Sequence, residues 1–194
     1  MVPALTGRVL GALRMLCSAR FLTVGPGLKS GIKLRLDNPA QLGAELLCGA
    51  VAALEEGPGP LAVISADTAI SIMAVNGKQE LVGGVILPGP QLSLSALVQK
   101  TAQLPQIDLS APASSSILGK NTSACLQNGF VLGTAGLLDG LAERFQAELG
   151  PDIRFYATGN LPRTIREACR TPIEYREYLI TDGLYRIWQK NRKG

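Results

Sequence analysis

The sequence predicts an α/β layered architecture, and three observations carry that expectation. Short apolar runs rich in Val and Ile, Leu61–Ile64 and Ile70–Val75, read as buried strands. Segments with apolar residues at helical spacing lie on both sides of them in the chain. The composition is that of a globular protein, with 46% hydrophobic and 18% charged residues. At 194 residues there is enough chain to bury a core, as one large domain or two small ones.

The first segment, from about Ala4 to Ala19, places Val9, Leu10, Leu13, Leu16 and Cys17 at helical spacing, which predicts a core-facing amphipathic helix. Arg8, Arg14 and Arg20 break up any long apolar run, so neither a signal sequence nor a membrane span is expected, and the protein is expected to be soluble and cytoplasmic. Phe21–Val24 reads as a short strand stopped by Gly25-Pro26-Gly27, followed by a basic loop or strand with Lys29, Lys33 and Arg35. At Asp37-Asn38-Pro39 a helix can start, with Asn38 as cap and Pro39 in the first turn. It would run through Leu42, Leu46, Leu47, Val51 and Leu54 to Glu56 and end at Gly57-Pro58-Gly59-Pro60.

The strand Leu61–Ile64 follows, then Ile70–Val75 and Gln79–Leu87 joined through Asn76-Gly77, a dipeptide favoured in tight hairpins. Leu92, Leu94, Leu97 and Val98 start another helix, and the Ser/Pro/Ala-rich stretch Pro105–Gly119 reads as an exposed loop. A long glycine-punctuated helix is expected from about Asn121 to Leu149, then a strand Ile153–Ala157, a turn Thr158-Gly159-Asn160 and a helix Leu161–Cys169. A last helix, about Asp182 to Lys190, would carry Leu184, Ile187 and Trp188 on its apolar side.

Composition also removes whole classes of chemistry. The chain has no histidine, which excludes Ser-His-Asp and Cys-His catalysis, His-ligated zinc and a histidine pH switch within it. Its four cysteines, Cys17, Cys48, Cys125 and Cys169, form no CxxC pair and read as free buried thiols, Cys48 and Cys125 as core. A net charge of +4 with 5% aromatic residues and no basic–aromatic interleaving argues against a nucleic-acid partner.

Several segments, taken in order, resemble the type III pantothenate kinases, which phosphorylate pantothenate at the first step of coenzyme A synthesis. They are Val2-Pro3-Ala4-Leu5-Thr6, Val24–Gly31, Arg35–Pro39, Leu81–Gly89, Gly119-Lys120-Asn121-Thr122 and Ala157-Thr158-Gly159-Asn160. The resemblance implies a ribonuclease-H-like fold of the acetate and sugar kinase, heat-shock protein and actin superfamily. It also implies a homodimer, ATP, a divalent metal (Mg) and a monovalent cation (K). On this reading residues 1–56 are the end of an N-terminal half with a connecting helix, and residues 57–194 a C-terminal ribonuclease-H-like domain.

The departures from the family pattern bear on chemistry. Family members carry an Asp-x-Gly-Asn-Thr hairpin that grips the ATP phosphates, and this sequence contains none. The family's catalytic Asp, in Gly-x-Asp-Arg, corresponds to Glu45 in Gly43-Ala44-Glu45-Leu46, and Leu46 stands in place of the arginine. Glu45 reads either as a residual base or as an ordinary helical carboxylate. A tyrosine of the substrate pocket is Leu36 here. The monovalent-cation Asp falls on Ser65, in Ser65-Ala66-Asp67-Thr68; with strand period 2, Asp67 could take its place if the strand runs that far. Thr68, matching an ATP-contacting threonine, and Thr122, matching a substrate-contacting one, are retained. Gly83-Gly84 reads as close packing or a bulge, and Thr158-Gly159-Asn160 as a phosphate-facing turn or a plain strand-to-helix connection. These features lead to a weak or inactive kinase as this chain alone, or to a non-catalytic subunit that pairs with a full-length kinase. A third alternative is that Met1 is not the true start and the family's first half is encoded upstream of it.

Overall fold

A computed structural model describes residues 3–25, 27–111, 113 and 116–192, with the side chains of Pro3 and Ala4 outside the description. Among the described residues six strands form one sheet: β1 Lys33–Leu34, β2 Leu61–Ala66, β3 Ala69–Val75, β4 Glu80–Pro88, β5 Arg154–Gly159 and β6 Ile173–Tyr175, in the spatial order β1-β4-β3-β2-β5-β6. The helices are α1 Pro3–Leu16, α2 Ala44–Glu55, α3 Pro90–Gln99, α4 Thr122–Leu149, α5 Arg163–Ala168 and α6 Leu179–Asn191. β2, β3 and β4 make an antiparallel meander, and β5 and β6 extend it parallel to β2, the arrangement expected of a ribonuclease-H-like unit.

Alternation along β2 divides the core into two layers. Ala62, Ile64 and Ala66 pack with Val131, Ala135, Leu138 and Ala142 of α4 and with Ile165 of α5. Leu61 and Val63 pack on the other face with Leu46, Ala50 and Ala53 of α2. The four α4 positions step by four, three and four residues, the spacing that keeps side chains on one helix face. Helix α2 lies between the sheet and α6 and is buried continuously from Leu46 to Ala53. Close approach requires small residues there. A Cβ on Gly49 would sit 3.0 Å from Val63 Cγ1, and one on Gly183 of α6 would strike the Cys48 carbonyl.

Several local expectations change in the tertiary context. No described side chain of α1 is buried, and Leu5, Val9, Leu13, Met15 and Leu16 are exposed, so this helix faces no core in the described chain despite its periodicity. Phe21–Val24 pairs with no strand and is irregular. Asn38 makes no side-chain cap; Pro39–Gln41 is a single 3-10 turn, Leu42 is extended, and α2 starts afresh after Gly43. Asn76-Gly77 does lie between antiparallel strands, but in a four-residue connection. Asn76 Oδ1 accepts from Lys78 N at 2.9 Å and Glu80 N at 3.0 Å, and the positive φ of 59° falls on Gln79.

Gly83-Gly84 serves both functions weighed for it. Ala74 pairs with Gly83 but Val75 with Leu81, so the register shifts at Val82 directly beside this pair; Gly83 has φ 145°, and a Cβ on Gly84 would strike the Ile72 carbonyl. Asn121 caps α4 by accepting from Ala124 N at 2.9 Å. The described residues of the Pro105–Gly119 stretch are irregular, yet Leu109 among them is buried, and its carbonyl accepts from Thr164 Oγ1 at 2.7 Å. In α6, Ile187 is buried whereas Leu184 and Trp188 are more than two-fifths exposed. Cys48 is buried and Cys169 intermediate, but Cys17 and Cys125 are exposed.

The buried charge Asp139 on α4 holds the chain segment that leads into β6. Its carboxylate accepts from the backbone N–H of Arg170 at 3.0 Å and of Thr171 at 2.9 Å. Burial raises its pKa, but the backbone and side-chain hydrogen bonds from Arg170 and Thr171 together outweigh it and hold the group below the ordinary aspartate range. Asp139→Ala should therefore cost about 1–3 kcal/mol in urea unfolding at pH 7, because the part-buried backbone N–H groups of Arg170 and Thr171 lose their acceptor. Because the folded-state pKa is depressed, this contribution is complete above the unfolded aspartate value and is lost as pH falls through the folded one. The difference between wild type and variant should shrink in acid; a constant difference would contradict the assignment.

Candidate functional site

The carboxyl ends of β2 and β5 lie side by side, with Ala66 opposite Gly159, and the chain turns sharply after each. After β2, Asp67 and Thr68 make the turn into β3, closed by Asp67 N donating to the Ala69 carbonyl at 2.9 Å. After β5, Gly159 has φ 83°, and a Cβ there would strike the Ala66 carbonyl, so the position is restricted to glycine. Asn160 N then donates to Ala66 O at 2.5 Å, and Asn160 Nδ2 donates to Asp67 Oδ1 at 2.9 Å.

These two turns border a cavity of about 400 Å³. Asp67, Thr68, Gln91, Ser95 and Asn160 supply its polar groups, and Pro90, Leu92, Leu109 and Pro162 its apolar walls. A cavity with apolar walls and a few fixed polar groups is a general ligand-site arrangement, and its place at strand carboxyl ends follows the rule for α/β sheets. Gly89, at the start of α3, packs so closely on the Asp67 carbonyl that a Cβ would clash with it, which fixes α3 against the turn.

The residues singled out in the sequence do not share one cavity. Asp67 and Thr68 line the one just described. Ala44 and Glu45 line a groove of about 530 Å³ with Leu5, Val9 and Leu10 of α1 and Ile180 of α6. Thr122 is exposed at the start of α4, in a depression of about 340 Å³ with Leu97, Leu126 and Phe130. Gly43 is the cap position of α2, and Ser65 is half-buried on β2, opposite Ser71 and Thr158. Leu36 and Leu46 belong to the core layer beneath α2.

Glu45 is exposed in the first turn of α2, where a carboxylate complements the helix dipole. The short connection makes α2 antiparallel to β2, with Gly49 over Val63. One turn earlier in the helix, about 6 Å, and two residues later in the strand, about 6.6 Å, bring Glu45 to the Ser65 end of β2. The strand stops at Ala66, so alternation does not carry over to Asp67, whose carboxylate is instead tied to Asn160. Among the described residues no cluster of three or more Asp, Glu, Cys or His side chains could hold a metal ion. The Asp67 carboxylate and Thr68 hydroxyl are hard oxygen donors that suit Mg²⁺ in the company of phosphate oxygens, not a cage made by protein alone.

Two features were not legible from sequence: Asn160 as the partner of Asp67, and Leu109 as a wall reaching in from the irregular segment. An Asn directly after a strand-terminal Gly was the available signal for the first; the second had none. The buried thiols take no part in this site. Burial pushes Cys48 up to about 11, and burial with the nearby Asp139 charge pushes Cys169 up to about 11, so both are protonated at neutral pH.

Leu46 gives a direct check on the site's limits. It is 7% exposed and surrounded by apolar side chains, so Leu46→Arg would place a charge in that layer. The expected cost is at least about 2 kcal/mol, against no more than about 0.5 kcal/mol for Glu45→Asp at its exposed position. Equal urea midpoints for the two variants would show that Leu46 is not a core residue.

The sequence profile of the type III pantothenate kinase family matches residues 1–144. Curated relatives include a protein named Type III pantothenate kinase from Koribacter versatilis, 38% identical over 93% of this chain and 66% of its own length. Another with the same name, from Geotalea uraniireducens, is 36% identical over 99% of this chain and 74% of its own length. The chain thus spans about two thirds to three quarters of these relatives. Among solved structures, a Campylobacter jejuni protein described as a conserved Baf family transcriptional activator aligns over 99% of this chain and 80% of its own, with TM-score 0.60 and 19% identity, a likeness of fold. On the family match and the curated relatives together, this chain belongs to the type III pantothenate kinase family, with the fold of the actin-like superfamily.

Proposed function

We propose that this chain is a pantothenate kinase-type protein whose Asp67–Thr68 cavity receives the nucleotide, and whose own turnover is weak or nil. The observation that carries the reading is the cavity itself. It puts Thr68, which matches an ATP-contacting threonine, at the carboxyl ends of β2 and β5 in a chain of this family. In that role the Thr68 hydroxyl donates to a phosphate oxygen, and Mg²⁺ would neutralise charge on the phosphates when bound. In this reading Glu45, which lines the groove beside α1, accepts the pantothenate hydroxyl proton. A potassium site at Ser65 would have a hydroxyl in place of a carboxylate. Residues 57–194 then form the ribonuclease-H-like unit, residues 1–56 are the end of an N-terminal half with its connecting helix, and the cytoplasm is the expected compartment.

Low turnover follows from what surrounds these groups. Phosphoryl transfer depends on positioning and on charge neutralisation. Leu46 lies in the core and Leu36 packs half-buried against it, neither offers a cation or hydroxyl to the substrate, and the chain carries no Asp-x-Gly-Asn-Thr phosphate hairpin. An assay of the purified 194-residue chain with ATP, Mg²⁺, K⁺ and pantothenate should show turnover far below about 1 per second, the lower end for kinases. Turnover at or above that rate would overturn the weak-enzyme reading.

A second reading, a subunit that pairs with another copy or with a full-length kinase, is favoured by α4. Gly129, Gly133, Gly136 and Gly140 recur at four, three and four residues, and a Cβ at any of them would meet no atom within 4 Å. Helix-interior glycine costs about 1 kcal/mol relative to alanine, and close approach of a partner helix would offset it. Light scattering at micromolar concentration should then give a dimer, and Gly133→Leu with Gly136→Leu should give a monomer. A wild-type monomer under those conditions would remove this reading for the chain on its own.

A further inference from the structure

The Asp67–Asn160 pair gives the nucleotide cavity a charge that the reaction just proposed does not explain. Of the side chains lining it, Asp67 alone bears a formal charge; Thr68, Gln91, Ser95 and Asn160 are neutral and the rest apolar. Arg163, the basic residue nearest along the chain, is engaged by Glu167 at 2.6 Å. A polyphosphate entering here meets a carboxylate and no lining cation, a repulsive arrangement at short range. A hard divalent cation bound to the phosphates reverses the sign, because a carboxylate can then accept from the cation's water shell or join it directly.

The carboxylate is also held in place. Asn160 Nδ2 donates to Asp67 Oδ1 at 2.9 Å, and the Asn160 backbone is anchored one residue before Asp67, through its N–H to the Ala66 carbonyl at 2.5 Å. The preceding Gly159 carbonyl accepts from Tyr175 Oη at 2.9 Å, and the Arg166 guanidinium lies 3.9 Å from the Tyr175 ring centroid. The turn bearing Asn160 is thereby fixed from β2 and from β6, so the side-chain hydrogen bond joins two rigid turns.

We propose that Asp67, oriented by Asn160 as a positioning residue, makes this cavity selective for the divalent-cation complex of a nucleotide over the free polyphosphate anion. The inference rests on the nucleotide reading of the same cavity. It gives Asp67 a function different from replacing the monovalent-cation ligand, and it gives Asn160 a function for the first time.

Calorimetric titration of the full chain with ATP in Mg²⁺, ATP in EDTA, and adenosine tests it without relying on turnover. Wild type should bind ATP about tenfold more tightly with Mg²⁺ than without, equivalent to about 1.4 kcal/mol, and adenosine equally in both conditions. Asp67→Asn should bind metal-free ATP about tenfold more tightly than wild type does, with most of the Mg²⁺ preference gone. Asn160→Ala, which leaves the carboxylate but frees it, should fall between the two, with adenosine affinity within about twofold of wild type. A Mg²⁺ preference as large in Asp67→Asn as in wild type would overturn the selectivity proposal and leave the nucleotide site standing. Failure of wild type and both variants to bind ATP or adenosine at all would overturn the nucleotide reading and this inference together.

Discussion

Burial of β2 on both faces is the constraint on which the rest of this structure depends. Leu61, Ala62, Val63 and Ile64 are each 2% exposed or less. Alternation sends Leu61 and Val63 toward α2 and Ala62, Ile64 and Ala66 toward α4 and α5. A strand covered twice must be central, with every backbone group paired, and it is: β3 runs antiparallel on one side and β5 parallel on the other. Both core layers meet at this strand, and so do the two turns of the candidate site. The Asp67–Thr68 turn and the Gly159-Asn160 turn are neighbours because β2 and β5 are in register to their last residues.

Glycine placement carries that packing into function. Gly159 and Gly89 bring backbone against the Ala66 and Asp67 carbonyls at separations that no Cβ would allow, which fixes the floor and one wall of the cavity. Gly183 does the same between α6 and the Cys48 carbonyl of α2, and thereby holds the helix whose first turn presents Glu45. Leu36 and Leu46 show the converse: at positions where the resemblance implies polar substrate contacts, the side chains complete an apolar layer. Fold maintenance and chemistry therefore separate position by position along the chain.

Much of the architecture was legible in the sequence. The runs at Leu61, Ile70 and Leu81 and the long helix after Asn121 appear within a few residues of expectation, because their apolar patterns reflect burial that the sheet then supplies. Where expectation and structure part, the missing information lay in another segment. The α1 periodicity is real, but no described part of the chain buries that face. β6 is three residues long and exists through its pairing with β5, and Asp139 on α4 secures the approach to it through the backbone of Arg170 and Thr171. In the site, Thr68 was legible from the family pattern, whereas the bond between Asp67 and Asn160 joins residues 93 positions apart.

By itself the sequence determined the class of fold, the family, a composition with no histidine, and the identities of the side chains at Leu36, Leu46 and Ser65. These are properties of residue identity, spacing and order, which survive without coordinates. Only the tertiary structure decided which retained residues meet. It separates Glu45, Thr68 and Thr122 into three depressions, stops β2 before Asp67, and turns that carboxylate toward Asn160. The physical reason is that a strand's end and a turn's direction are set by the backbone partners across the sheet. Here the Ala66 carbonyl, clasped by Gly159 and Asn160, fixes where β2 ends and what its last turn presents.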